Sequence, residues 1–262
     1  MFLSLALGFL SPAPVLYDLV YADAGEEALR YDYFRSAEPD APLVVVIHGG
    51  AWVRGDKSDV HEVCEMLVDE GFASASISYR LAPTHRWPAM IDDTNSALSF
   101  FKANSKHLDF DAARTGLVGF SAGAQLALLA GLDTADNALD AKAIVNVFGP
   151  TDLQNDFEEA ATALMTMMVL GEALEPADER LARLSPVTFA SADDPPVFTI
   201  HGSLDPLVPV NQAARLDEAL TAVGVSVSTR IVEGMGHDID TGDPATMEAV
   251  LEALLFLKQE LD

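Results

Sequence analysis

Residues 117–128 read LVGFSAGAQLAL. Ser121 stands in the middle, with Gly119 two residues before it and Gly123 two after. An apolar run precedes the motif and a helix-forming run follows, so the segment reads as a strand that turns at once into a helix. In that context a G-x-S-x-G match carries information. So abrupt a turn holds its apex residue in a strained conformation. Gly119 and Gly123 lack side chains and let strand and helix approach closely. Ser121 is then pushed out above the sheet edge, near the positive end of the helix dipole.

Working outward, β-branched apolar runs recur at 15–22, 28–35, 43–48, 73–80, 114–120, 143–148, 196–202 and 227–233. Helical patterns lie at 59–71, 92–104, 122–132, 210–224 and 246–261. The first two runs alternate in polarity and are joined by the short turn DAGEE (23–27), so they predict a hairpin. The later runs are almost continuously apolar, as in a parallel sheet covered on both faces. The expectation is one α/β domain over 1–262: an eight-stranded, mostly parallel sheet with helices on both faces. No linker, internal repeat or low-complexity tract divides it. The segment 153–186 is longer than a crossover needs and rich in Met and Leu. It predicts a small helical excursion above the sheet, a cap segment that either adds core packing or walls an apolar pocket.

Half of the 262 residues are hydrophobic, enough for one large core. Lys and Arg number 15 against 41 Asp and Glu, a net charge of −26. Such a surface repels phosphate backbones and anionic lipid, which argues against nucleic-acid binding. The single cysteine, Cys64, forms no intrachain disulfide and sits in an amphipathic pattern, where it reads as a buried structural thiol. Nothing points to a metal site. The apolar N-terminal stretch MFLSLALGFLSPAPV is too short to span a bilayer. No Lys or Arg precedes it, so a cytoplasmic location is expected, with export by an atypical or clipped signal as the alternative. A homodimer is left open.

A serine hydroxyl needs an adjacent base to act as a nucleophile. His61 and His107 lie in polar helical stretches and read as surface residues, and His85 follows a proline turn. His48 and His201 end strands, where a histidine braces a loop. His237, in EGMGHD just past the last strand, is the expected base; its preceding glycines let the loop bend back to Ser121, with His201 as second choice. The base needs an orienting carboxylate. Asp205, in HGSLDPLVP after the seventh strand, fits, with Asp152 as its rival. The Gly-Gly turn in IHGGAW (47–52) leaves backbone N–H groups free for an oxyanion, so Gly50 and Ala51 are the expected donors together with Ala122.

These residues resemble those of α/β-hydrolase esterases, and more narrowly the hormone-sensitive-lipase-like and BD-FAE-like carboxylesterases. The resemblance covers roughly residues 15 to 260. HGGAW resembles the family's oxyanion loop, SYRLAPTHRWPAMIDD its Tyr-Arg-Leu-Ala-Pro segment, and GFSAGAQLA its nucleophile elbow. FGPTDL, LSPVTFASADDPPVFTIHGSLDPLVPV and EGMGHD resemble the later blocks in order. The resemblance implies the α/β-hydrolase fold, with Ser121 as nucleophile, His237 as base, Asp205 as its partner and Gly50, Ala51 and Ala122 as the oxyanion hole. It makes His48 and Arg80 braces of the site and requires no cofactor. One departure is Ala51 where many lipase-like members carry a third glycine; its N–H serves provided that the turn does not demand a positive φ. Trp52, which follows, is expected to narrow the substrate site. The expected activity is hydrolysis of small, short-acyl or aromatic esters through an acyl-enzyme. The alternatives are an arylformamidase-like amide hydrolase and a catalytically inactive binding protein.

Overall fold

The computed structural model describes residues 15–25, 27–133 and 140–262. Strands β1 (Val15–Ala24), β2 (Glu27–Phe34), β3 (Ala41–Ile47), β4 (Ala73–Ile77), β5 (Phe110–Phe120), β6 (Ala143–Val147), β7 (Val197–Gly202) and β8 (Val227–Val232) form one sheet. Their spatial order is β1-β2-β4-β3-β5-β6-β7-β8. The expected hairpin is present: β1 runs antiparallel to β2, with Ala24 opposite Glu27. Strand β2 is antiparallel to β4, and every pairing from β4 and β3 through to β8 is parallel.

Helices α1 (His61–Asp69), α2 (Ala89–Leu108), α3 (Ala122–Leu132), α4 (Glu159–Val169), α5 (Asn211–Ala222) and α6 (Pro244–Leu261) complete the fold. The pleat divides the core. Leu43, Val45 and Ile47 of β3 face the layer holding Leu98 of α2, Leu126 of α3 and Leu216 of α5. Val44 and Val46 face Leu67 of α1 and Leu254 and Leu257 of α6. All seven residues of β3 are buried, which explains why its sequence is continuously apolar. Fully burying each such side chain stabilises by roughly 1.5–3 kcal/mol. Helix α3 is buried at every position and so shows no polar face.

The excursion after β6 is helical only in part. It holds α4 and two short 3-10 stretches, Glu179–Leu184 and Pro186–Phe189, around a small core of Leu153, Leu174, Leu181 and Leu184.

Three local differences from the sequence expectations have physical causes. Strand β5 starts at Phe110 because Phe110 and Asp111 pair with Ala41 and Pro42 before a register shift, after which pairing resumes at Thr115. Strand β4 ends at Ile77 because Arg80 is taken out of the sheet by Asp93, which accepts from its backbone N–H at 2.8 Å and from its guanidinium at 2.6–3.1 Å. His61 is half-buried rather than at the surface. Its Nε2 lies 2.7 Å from the carboxylate of buried Asp32, which also takes Lys57 Nζ at 3.1 Å. Cys64 is buried, and burial pushes its thiol up to about 12. The N-terminal stretch lies, up to residue 14, outside the described residues. Among those described, no helix is long and apolar enough to cross a membrane.

Helix α3 enters the fold with almost no clearance. A Cβ at Gly123 would lie 2.3 Å from the carbonyl oxygens of both Ile47 and His48. A Cβ at Gly119 would lie 2.3 Å from the carbonyl of Gly123. Gly123→Ala therefore has to push α3 away from β3, at a cost of about 1–3 kcal/mol. For a chain of this size that lowers the thermal midpoint by roughly 2–12 °C. An unchanged midpoint by calorimetry would refute the close contact.

Candidate active site

Ser121 occupies the apex between β5 and α3 at φ 53, ψ −119. This conformation costs on the order of 1–3 kcal/mol for a residue with a side chain. It is held by the Ser121 N–H, which donates to Val147 at 2.9 Å, and by the Ser121 carbonyl, which accepts from Ala124 at 2.9 Å. The serine Oγ lies 2.8 Å from His237 Nε2. His237 Nδ1 lies 2.6 Å from Asp205 Oδ2.

The two loops that carry His237 and Asp205 are joined to each other. Leu204 N–H donates to the Met235 carbonyl at 3.0 Å. A Cβ at Gly202 would lie 2.2 Å from that same oxygen. The other Asp205 oxygen accepts the N–H groups of Leu207 and Val208 at 2.8 and 2.9 Å. Burial alone would raise the Asp205 carboxyl. The His237 ring and those two amides outweigh it and hold the carboxyl below its usual range. His201, the second-choice base, makes no contact with Ser121. It is fully buried, its Nε2 lies 3.0 Å from the Val208 carbonyl, and burial pushes its protonation down. The rival carboxylate Asp152 is engaged by Gln154 N–H, Asn155 Nδ2 and, at 3.4 Å, Arg215.

The loop after β3 takes up three consecutive left-handed residues: Gly50 at φ 114, Ala51 at 52 and Trp52 at 62. The turn does demand a positive φ at Ala51, so the proviso placed on this residue fails; the alanine takes up the strain, on the order of 1–3 kcal/mol, and its N–H is retained. At Gly50 only glycine fits, because a Cβ would lie 2.0 Å from the Arg54 carbonyl. The Gly50 carbonyl accepts from Val53 and Arg54, each at 3.1 Å. The N–H groups of Gly50, Ala51 and Ala122 have no hydrogen-bond partner among the described residues. Gly49 lies against the elbow, where a Cβ would be 3.2 Å from Ser121 Cβ.

Trp52 is turned into the protein, 6% exposed. Its indole N–H donates to Gln125 Oε1 at 3.0 Å and its carbonyl accepts from Ala82 N–H at 2.9 Å. Gln125 Nε2 in turn donates to the Leu184 carbonyl at 2.7 Å, in the excursion. His48 stacks on Tyr79 with ring centroids 4.4 Å apart, and the Tyr79 hydroxyl donates to the His48 carbonyl at 3.0 Å. Phe148, at φ 42, sets its ring 4.4 Å from that of His237.

Sequence reasoning passed over Gln125, Tyr79 and Phe148. Gln125 carried a signal, since it is the one polar side chain in α3. Tyr79 and Phe148 lie in the Tyr-Arg-Leu-Ala-Pro and FGPTDL blocks, but nothing in those blocks told which way either ring turns. Among the described residues, no group of three or more His, Cys, Asp or Glu side chains is disposed to hold a metal ion.

Residues 33–220 match the BD-FAE family. The chain belongs to that family. Its curated relatives include esterase LipC of Mycobacterium tuberculosis, 32% identical over 84% of this chain and 58% of that protein. Esterase LipQ of the same organism is 28% identical over 90% of this chain and 60% of that one. The chain thus spans a little under two thirds of these family members. A solved carbohydrate esterase from gut microbiota, in truncated form, superposes with a TM-score of 0.83 at 23% identity, over 95% of this chain and 96% of that one. The fold is that of the α/β-hydrolases.

The Trp52–Gln125 contact and the Asp205 carboxylate can each be probed by substitution. Gln125→Leu leaves the Trp52 indole N–H and the Leu184 carbonyl buried without partners, at about 1–3 kcal/mol each. The thermal midpoint should fall by several degrees, and Trp52→Phe should recover part of the loss in the double variant; no recovery would show that the two side chains are not coupled. The second concerns pH. Folding lowers the Asp205 pKa below its unfolded value of about 4, so its ionised form stabilises the fold above that pH. That contribution is lost as pH falls through the folded value. Below about pH 4 the native chain should therefore lose stability more steeply than Asp205→Asn in parallel thermal melts; equal slopes would contradict the assignment.

Proposed function

We propose that this chain is a serine carboxylesterase acting on uncharged esters through an acyl-enzyme. The observation that carries the reading is the hydrogen-bonded series Ser121 Oγ, His237 and Asp205, at 2.8 and 2.6 Å. Membership of the BD-FAE family and likeness to proteins named as esterases support it.

In this mechanism Ser121 Oγ attacks the ester carbonyl carbon while His237 Nε2 accepts its proton. Asp205 holds the imidazole with Nδ1 protonated and stabilises the imidazolium that forms. The N–H groups of Gly50, Ala51 and Ala122 receive the oxyanion. The bond to the alcohol oxygen then breaks, and His237 Nε2 returns the proton to that oxygen. Water repeats the sequence on the acyl-enzyme: its proton passes to His237, its hydroxyl joins the acyl carbon, and Ser121 leaves with the proton. Trp52 acts from beneath, fixing the φ of the Ala51 turn through Gln125 and Ala82.

Turnover of p-nitrophenyl acetate tests the reading. Ser121→Ala should lower kcat on the order of 10⁴-fold or more, and Asp205→Asn by about 10⁴-fold through the wrong imidazole tautomer. A folded Ser121→Ala that keeps the parent rate would remove the serine mechanism. A folded parent that turns over aryl formamides and no ester would move the assignment to amide hydrolysis.

A further inference from the structure

Phe148 follows the last residue of β6 at φ 42, a conformation that is a genuine outlier for a bulky side chain. The chain is pinned at this residue and at the next. The Phe148 N–H donates to the Ile200 carbonyl of β7 at 2.8 Å. The Gly149 N–H donates to Asn146 Oδ1 at 3.0 Å, and the buried Asn146 side chain donates in turn to Thr199 Oγ1 at 3.2 Å. A Cβ on Gly149 would lie 2.4 Å from that Asn146 oxygen and 2.6 Å from Ala124 Cβ. With both amides fixed, the strain falls on Phe148. A strained residue held this firmly by its surroundings points to a role in function.

The strain places one ring. Phe148 is 5% exposed, its ring centroid lies 4.4 Å from that of the His237 imidazole, and the two planes meet at 46°. It also meets the ring of Phe120, the residue before Ser121, at 6.2 Å. The residue before Phe148 is bound to the elbow, since the Val147 carbonyl accepts the Ser121 N–H at 2.9 Å. The end of β6 thus holds the serine through one residue and the imidazole through the next. Asp205 and Ser121 hold His237 at its two nitrogens, 2.6 and 2.8 Å away. Bonds at ring nitrogens fix an imidazole within its own plane, where its N–H and lone pair point, and resist tilting only weakly. A second ring packed against it supplies that resistance. An aromatic ring also attracts a cation within about 6 Å of its centre. His237 becomes a cation while it carries the serine proton, so this attraction acts in the transition state rather than on bound substrate.

We infer that Phe148 is a positioning residue of the reaction: its ring holds the His237 imidazole in line with Asp205 and Ser121 and steadies it while it carries the proton. The inference rests on the serine-esterase reading above. Phe148 acts through His237 and exchanges no proton itself.

The test compares turnover of p-nitrophenyl acetate by the native chain with that by Phe148→Leu, Phe148→Met and Phe148→Tyr, each first shown by thermal melting to be folded. Leu and Met keep an apolar side chain of similar reach and remove the flat ring, so that one can stand in if the other fails to fold. Tyr keeps the ring. Phe148→Leu and Phe148→Met should lower kcat roughly 3- to 30-fold. KM should stay within about twofold, because the interaction is made in the transition state. Phe148→Tyr should recover most of the loss. The His237 Nδ1 proton, bonded to Asp205, supplies a readout that needs no turnover: its far-downfield proton NMR signal should be sharp in the native chain and in Phe148→Tyr, and broadened in the other two. A folded Phe148→Leu or Phe148→Met with native kcat and a sharp signal overturns the proposal. So does a rise in KM with kcat kept, which would make the ring a substrate contact, and so does an equal loss in Phe148→Tyr. Turnover that survives in Ser121→Ala would defeat the serine reading instead, and the Nδ1 signal would still decide whether Phe148 holds the imidazole.

Discussion

The approach of α3 to the end of β3 is the constraint on which the site depends. Gly123 places the first turn of the helix directly on the carbonyls of Ile47 and His48. No side chain fits there, so the chain must turn from β5 into α3 within one residue. That residue is Ser121, and its positive φ is the geometric result. The same contact brings the loop after β3 against the elbow through Gly49. The candidate nucleophile and the candidate oxyanion donors are thus positioned by one close packing of backbones, not by separate devices.

Strain gathers along this edge. Ala51, Trp52, Ser121 and Phe148 all have positive φ at the carboxyl ends of β3, β5 and β6. Strained residues persist only where their surroundings over-determine them. Ser121 is held by Val147 and Ala124. Trp52 is held at both its indole and its carbonyl, and through Gln125 the hold extends to Leu184 in the excursion. The excursion therefore bears on the geometry of the Ala51 amide, although its own short core is separate from the two main ones.

Much of this was legible in the sequence. Continuous apolar runs gave the parallel strands, because both faces of the sheet are buried. The elbow was legible because its glycines answer a steric demand that only glycine meets. His237 and Asp205 could be chosen because glycines and a strand end positioned each one. What was not legible shares one cause: it depends on which way a side chain turns. Trp52 reads as a wall of the site, yet its indole turns inward to Gln125. The start of β5 was hidden because Asp111 is a polar residue in a strand, tolerated beside a register shift next to which Arg114 reaches the Asp40 carbonyl at 2.6 Å. His61 looks like a helix-surface residue until Asp32, on a strand distant in sequence, is brought beneath it.

The net charge of −26 contrasts with the site it surrounds. Unscreened, so many carboxylates would push Asp205 towards protonation. The opposite shift is found, and distance explains it. Charges on the surface are screened over about 8–10 Å, whereas the Leu207 and Val208 amides and the His237 ring lie within 3 Å of the carboxylate. His201 sits 3.5 Å from the same carboxylate without adding a charge, because burial keeps it neutral. Had it been protonated, it would have competed with His237 for the negative charge of Asp205. A neutral His201 that spends its N–H on the Val208 carbonyl steadies the loop and leaves the carboxylate to orient a single imidazole.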